Sequence, residues 1–380
     1  MEQSTNQFKR AYNRAGLSVA ALYGTVAKGE ALAAIVVMGI LSVLAVGGAL
    51  PSIDYEGILR GGRSLSDVFD ALSGTGIIAA ILTVFLLVQA CAWIVGYVIM
   101  RLVMPEGTPI QKRNLSFGRF LMIALMCYGI WGVGASLGNL SSFFGVETSN
   151  LLDPTSLGAE SLPYLIYAMI GAPIVEELTF RKALLDGLHD THEGYAAIVS
   201  GLLFGLMHGN HMQFFLAFFL GMLFAMVYQR TGRVVYTMLL HAMINTTATL
   251  PELLSLMGVD ISLYWNIAVA ALIVAGLIVL LVNRRHPLLH AEQTETPDAN
   301  RVVYRNVGMR IVRIAALVLI GMQGAILALL PILDDGDPRH LIDLIPLTLV
   351  FLTVLLLPKF TKHYEKPAAP EPVGPEEANA

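Results

Sequence analysis

The sequence predicts an all-α protein, a bundle of helices that crosses a membrane several times. The chain of 380 residues is 56% hydrophobic and only 14% charged, whereas an ordinary soluble domain carries about 25% charged residues. The low charge results from long apolar runs, and several of these reach the roughly 20 residues that a helix needs to cross a bilayer core. Basic residues recur at every second connection between the runs, as cytoplasmic loops require.

Ten membrane spans account for this alternation, and both termini are then cytoplasmic in a protein of the cell membrane. An odd number of spans would break the pattern. The two cysteines, Cys91 and Cys127, fall inside apolar runs, so we predict buried thiols and no disulfide. The predicted spans are 31–50, 76–100, 119–137, 161–187, 194–210, 212–229, 234–251, 264–282, 312–333 and 341–357.

The spans divide into a core of about eight and an appendage of two. A polar linker separates them, and the chain ends in a tail rich in Pro, Ala and Glu that is typical of disorder. No internal repeat is recognisable, which disfavours a transporter built from repeated halves. The predicted segments are a cytoplasmic N-terminal segment at 1–30, the core at 31–285, the linker at 286–310, the two-span appendage at 311–358 and the tail at 359–380.

Three short motifs place ionisable residues inside predicted spans. They are "EELTFR" at 176–181, "FGLMH" at 204–208 and "HAMIN" at 241–245. Ionisable groups are expensive within a membrane and mark functional sites by default. The motif region at 160–250 is therefore the candidate site of this protein.

The spacing within the motifs predicts which side chains share a helix face. Glu177 and Arg181 are four residues apart and can form an ion pair. Glu176 lies about 100° around the helix, so we expect it to leave that face and to point elsewhere. His241 and Asn245 are also four apart and can address one cavity. In the second motif, Phe204 lies one turn before His208 and can pack beside it.

The motif residues fall at similar depths in the bilayer. At a rise of about 1.5 Å per residue, Glu176 is roughly 16 Å deep, His208 roughly 21 Å, His241 roughly 12 Å and Asn245 roughly 18 Å. All four lie in or at the edge of the middle third of the membrane core, and three separate helices contribute them. The depths are counted from predicted cytoplasmic ends at Gly187, Gly194 and Arg233.

These residue types suit hydrolysis by an activated water. A carboxylate whose burial and neighbouring guanidinium oppose each other can serve as a base near neutral pH. Histidine and amide groups beside it can hold the water and donate to an oxyanion. A second possibility is that Glu176, His208 and His241 hold a divalent metal such as zinc, with an open fourth position. The residues alone leave both possibilities open.

The three motifs together resemble the CPBP family of intramembrane proteases, which includes CAAX prenyl endopeptidases, Abi-type proteins and bacteriocin-processing proteins. The family pattern is E-E-x-x-x-R, then F-x-x-x-H, then H-x-x-x-N or D, and all three elements occur here in order. The resemblance implies that Glu176 is the general base, that His208 helps to hold the water, and that His241 and Asn245 form the oxyanion site. Glu177, Arg181 and Phe204 then have supporting roles.

Two classes of function follow. The first is an intramembrane endopeptidase that cleaves a membrane-associated protein or peptide, with or without a metal. The second is a non-catalytic binding or immunity protein on the same scaffold. A transporter would distribute charges along a pathway, whereas here they cluster at one site. The net charge of −4 gives no indication of a nucleic-acid partner, so the expected partners are the lipid bilayer and a membrane-associated substrate.

Overall fold

The computed structural model describes residues 76–103, 110–138, 161–188, 193–208 and 211–283, together with residues 36, 39 and 40. Within these ranges the chain forms helices and short connections and contains no β-strand, which confirms the all-α class there. Four of the helices are long and apolar enough to cross a membrane, as in a multi-pass membrane protein. They contain the candidate spans Ile77–Leu102, Phe117–Gly138, Gln213–Thr231 and Ser262–Val282.

Seven helices account for the predicted spans from the second to the eighth. The first, ninth and tenth predicted spans, the linker and the tail lie outside the described residues, apart from the three residues near 40. The total of ten spans and the division into core and appendage therefore remain predictions. The helices are α1 (Ile77–Val103), α2 (Phe117–Gly138), α3 (residues 162–188), α4 (Glu193–Met207), α5 (His211–Thr231), α6 (Val234–Leu256) and α7 (Ser262–Val282).

Two π-helical turns interrupt the α-helical winding of α3. Its α-helical segments are Leu162–Ile166, Ala172–Glu177 and Leu184–Leu188, and π-helical turns at Tyr167–Gly171 and Leu178–Ala183 join them. Such turns are rare and occur frequently at functional sites. The carboxylates of Glu176 and Glu177 lie in the segment between the two turns, so the winding of α3 decides where they point.

Helix α6 also departs from regular geometry, because it contains Pro251. The prediction ended this span at residue 251, but the helix continues to Leu256. Proline lacks the N–H that would bond to the carbonyl four residues earlier, which belongs to Thr247. The indole Nε1 of Trp265 in α7 donates to the Thr247 oxygen at 2.9 Å instead. A side chain from the neighbouring helix thus replaces the missing backbone donor.

Glycines allow close approach at two helix crossings. A Cβ at Gly201 would lie 2.7 Å from the backbone oxygen of Phe218, so α4 and α5 are in backbone contact there. At the crossing of α2 and α7, a Cβ at Gly276 would lie 2.2 Å from the Leu125 oxygen and 2.4 Å from the Gly129 nitrogen. Small residues serve this purpose in membrane bundles, where helices associate by packing and not by exclusion of water.

The helix ends that carry basic residues meet at one end of the bundle. Asp186, near the end of α3, accepts bonds from Arg101 at the end of α1, from Lys182 and from the Tyr228 hydroxyl of α5. A second ion pair joins the start of α4 to the end of α5. This grouping agrees with the alternation of charge in the sequence. One prediction about the cysteines is wrong: Cys127 is buried, but Cys91 is exposed on the surface of α1.

Candidate active site

A fully buried ion pair lies at the centre of the bundle, as the spacing of the first motif predicts. Arg181 Nε is 3.1 Å from Glu177 Oε2, and neither side chain is exposed. The contact is electrostatic, because none of the guanidinium nitrogens has a hydrogen-bond partner among the described residues. The guanidinium carbon lies 4.4 Å from the ring centre of Phe204 and 5.3 Å from that of Phe224. These rings stabilise the buried cation through their electron-rich faces.

The imidazole of His241 lies between the two glutamates. Its Nδ1 is 3.0 Å from Glu177 Oε1, and its Nε2 is 3.9 Å from Glu176 Oε2. The Glu177 carboxylate balances the permanent charge of Arg181 and can only accept hydrogen bonds. Nδ1 therefore carries a proton, and Nε2 is the nitrogen that faces Glu176. Arg181, Glu177, His241 and Glu176 form a continuous chain of charged and polar groups from α3 to α6 and back.

The sequence predicts that the side chain of Glu176 points away from the helix face that carries Glu177. This prediction is wrong for the two carboxyl groups at the ends of the side chains. Both reach the same imidazole, one at each ring nitrogen. A rotation of about 100° between neighbouring residues is bridged by the long glutamate side chains and by the width of the ring. The two differ in exposure instead, because the Glu177 side chain is 0% exposed and that of Glu176 is 17% exposed. Glu176 is thus the more accessible of the two carboxylates.

His208 lies immediately after the end of α4, near the end of the predicted span 194–210. The helix has 15 residues and a length of only about 22 Å, so its end falls short of a full bilayer crossing. His208 Nδ1 is 2.9 Å from the Phe204 oxygen. Because a carbonyl only accepts, Nδ1 is the donor, and the lone pair of the ring is on Nε2.

Phe204 connects the two histidines, and its predicted packing against His208 is confirmed. The ring centres of Phe204 and His208 are 5.0 Å apart, and those of Phe204 and His241 are 5.6 Å apart, both with edge-to-face geometry. The side chain is only 3% exposed. One buried ring therefore contacts residues of all three motifs, since it also lies against Arg181.

Asn245 is on the same face of α6 as His241, and its amide binds the backbone of α3. Nδ2 donates to the carbonyl of Ala168 at 2.8 Å. Ala168 belongs to the first π-helical turn. The bond fixes which way the amide is turned, because a carbonyl can be met only by the nitrogen side.

Three residues near the site were missed at the level of sequence. Tyr164 and Tyr167 precede the first motif on α3, and both hydroxyls lie within electrostatic range of the Glu176 carboxyl group. The Tyr167 ring lies over Gly171, 2.6 Å from the place a Cβ would take. Thr237, fully buried one turn before His241, has its hydroxyl beside the Glu177 carboxylate. A count of one helical turn back from His241 would have identified Thr237, whereas the π-helical turn at Tyr167–Gly171 puts the two tyrosines beyond such a count.

The residues described do not fit a metal ion. Across the described ranges, no group of three His, Cys, Asp or Glu side chains is close enough to hold one. In this structure Glu176, His208 and His241, the zinc-ligand set that the sequence offered as a possibility, are not gathered into such a group.

Comparisons with known proteins agree with the resemblance that the motifs indicate. Residues 158–247 match the family described as "Type II CAAX prenyl endopeptidase Rce1-like". A protein of Bacillus subtilis (strain 168), named "Putative membrane peptidase YdiL", is 28% identical over 127 residues, or 33% of this chain. The match spans about half of that relative, 48% of its length. No solved structure matches the chain. The predicted recognition is confirmed, and it rests on the region that contains all three motifs.

Proposed function

We infer, from an Rce1-like CAAX prenyl endopeptidase region at residues 158–247, that this membrane protein is an intramembrane endopeptidase. The observation that carries the proposal is the position of His241 between Glu176 and Glu177. Two of the three motifs meet at that ring, and the third contacts it through Phe204. A catalytic base, histidines and an amide donor are thereby gathered within an apolar helical bundle.

The proposed reaction is hydrolysis of a peptide bond by water. Glu176 takes one proton from the water as the water oxygen bonds to the carbonyl carbon, and the carbonyl π electrons move to the oxygen to form an oxyanion. His208 helps to hold the water through Nε2. In this scheme Asn245 donates to the oxyanion through its amide, and His241 donates through an N–H at Nε2. When the intermediate collapses, the C–N bond breaks and the amine takes the proton from Glu176.

The other charged residues support these four. Glu177 keeps Nδ1 of His241 protonated and directs Nε2 towards Glu176. Arg181 balances the charge of Glu177, and Phe204 separates the guanidinium from the histidines while packing against both. In this arrangement, burial of the ion pair serves orientation, because such a pair contributes little to stability by itself.

The proposed topology has ten spans with both termini in the cytoplasm. The charged end of the bundle around Asp186 then lies at the cytoplasmic surface, and the site lies within the membrane. An eight-span core carries the reaction, and the two-span appendage at 311–358 follows it. The substrate is a membrane-associated protein or peptide, because only such a chain can reach a base at this depth.

The proposal is tested in the host by mapping new peptide termini. The gene is deleted and complemented with the native form, with Glu176→Gln or with Glu252→Gln. Glutamine keeps the shape of glutamate and removes the base. Glu252 is the matched control, because it lies on α6, in the turns beyond the motif residues. We expect a defined set of termini with the native form and the control that is absent with Glu176→Gln.

Equal accumulation of all three proteins, checked by immunoblotting, is the condition for this comparison. If Glu176→Gln restores every terminus that the native protein produces, hydrolysis by this site is refuted. The non-catalytic binder would then be favoured, with the buried charges serving structure only. The mapped termini, where they appear, also identify the cleaved bond.

A further inference from the structure

The Asn245 amide takes the place of a backbone donor that Pro173 cannot supply. In the first π-helical turn of α3, the Ala172 N–H bonds to the Tyr167 oxygen, five residues earlier. The next amide in this ladder belongs to residue 173 and would bond to the Ala168 oxygen, but proline has no N–H. The Ala168 carbonyl instead accepts the Asn245 amide at 2.8 Å.

The same substitution of a side chain for a backbone donor occurs once more in the described helices, away from the site. Pro251 leaves the Thr247 carbonyl without its helical donor, and Trp265 provides one. An unsatisfied carbonyl is costly in a bundle from which water is excluded. Each proline therefore selects a particular side chain of a neighbouring helix.

We propose that Pro173 is a positioning residue for the endopeptidase: it frees the Ala168 carbonyl, and this carbonyl orients the Asn245 amide. The inference rests on the proposed function for its catalytic part. With one N–H held by Ala168, the amide nitrogen is turned towards α3, and the second N–H has a fixed direction. That second donor is the one available to the oxyanion.

The geometry predicts that Pro173→Ala leaves the stability of the protein unchanged and lowers the rate of the reaction. Alanine restores an N–H that can bond to the Ala168 carbonyl. The carbonyl therefore keeps a donor, and the Asn245 amide loses its hydrogen-bond partner. We expect the variant to unfold no more readily than the native protein. We expect kcat to fall by about 10- to 100-fold with little change in KM, because a misplaced group costs rate and not binding.

The first experiment is a double-mutant cycle on stability with Pro173→Ala, Asn245→Ala and both together. Unfolding of purified protein in detergent, with the exposed Cys91 replaced by serine, is followed by the reaction of buried Cys127 with a maleimide. In the native background, Asn245→Ala leaves the carbonyl without a donor, and we expect the unfolding constant to rise about fivefold. In the Pro173→Ala background we expect almost no further rise. Additive effects would overturn the proposal.

The matched control is the corresponding cycle with Pro251→Ala and Trp265→Phe. The coupling in stability should be similar, but kcat should be unchanged, because Trp265 has no part in the proposed site. The rates use a synthetic peptide that spans a bond mapped with the native protein. Equal loss of kcat in both cycles, or loss of stability together with rate in Pro173→Ala, would reduce Pro173 to a structural role and refute the proposal.

The two proposals can fail separately. If Glu176→Gln keeps full activity, the endopeptidase is refuted, while the stability cycle still decides whether Pro173 selects Asn245. If Pro173→Ala does not accumulate, Pro173→Ser restores the same N–H and replaces it in both measurements.

Discussion

Replacement of Gly276 by alanine is expected to force α7 away from α2. The new Cβ would lie 2.2 Å from the Leu125 oxygen and 2.4 Å from the Gly129 nitrogen. Both are backbone atoms, so no side-chain rotation relieves the contact. Ordinary contact begins at 3.4 Å, and the helices must therefore separate by about 1.2 Å at this crossing.

The expected loss of stability is the balance of two effects. Alanine in place of glycine in a helix interior is favourable by about 1 kcal/mol. Overpacking costs about 1 to 3 kcal/mol, and a backbone clash belongs at or above the upper end of that range. The separation also forfeits a quarter to a half of the contact energy along the crossing, by order of magnitude. We expect a net destabilisation of about 2 kcal/mol, or a roughly 30-fold change in the folding equilibrium.

The assay uses the chain's own buried thiol. Cys127 is on α2, next to the crossing, and is 0% exposed, so it reacts with a maleimide only when the bundle opens. The exposed Cys91 is first replaced by serine to leave a single reporter. Gly118→Ala is the control, because a Cβ there meets nothing within 4 Å. Reaction of Gly276→Ala at the rate of the control would refute the argument from the crossing.

Three further predictions use the same assay. Tyr128→Phe and Thr247→Val should each destabilise the bundle, because the two hydroxyls are 2.8 Å apart and buried. Their double variant should reveal a coupling free energy of about 1 kcal/mol, and zero coupling would show that this hydrogen bond does not contribute to stability. Arg181→Met alone should lower the free energy of unfolding by about 3 to 5 kcal/mol, because it leaves the Glu177 charge buried without a partner. Adding Glu177→Gln should restore most of this stability, and failure to do so would contradict the assignment of an ion pair. Asp186→Asn should cost no more than about 1 kcal/mol and less in high salt, since its two cationic partners, Arg101 and Lys182, are partly exposed. A salt-independent loss would exclude this explanation.

The contacts that the sequence predicted correctly are local ones. Glu177 and Arg181 are four residues apart on α3, and His208 follows α4 four residues after Phe204. At this spacing the regular rise and rotation of a helix fix the geometry. The helical class and the helices at the second to eighth predicted spans follow from long apolar runs in the same way, and four of these helices are long and apolar enough to cross a membrane. These features need no knowledge of how one helix lies against another.

The contacts that the sequence did not predict depend on crossings and on irregular winding. The approach of Glu176 to His241 requires the position of α6 relative to α3. The bond from Asn245 to Ala168 depends on a π-helical turn, which a count of 3.6 residues per turn cannot anticipate. Pro173 was the available signal, since a proline inside an apolar span marks a carbonyl that needs another donor.

Because of the two π-helical turns of α3, the direction in which Glu176 and Glu177 point depends on the number of residues in the helix as well as on their types. Loss of a single residue from Tyr167–Gly171 would return that turn to α-helical winding and would rotate the preceding part of α3 by about 100° relative to the glutamates. Point substitutions there change one contact at a time. A one-residue deletion instead separates the Ala168 carbonyl from Asn245 and turns Tyr164 and Tyr167 away from Glu176 together. In this part of the chain, the number of residues is as much a determinant of the site as their identity.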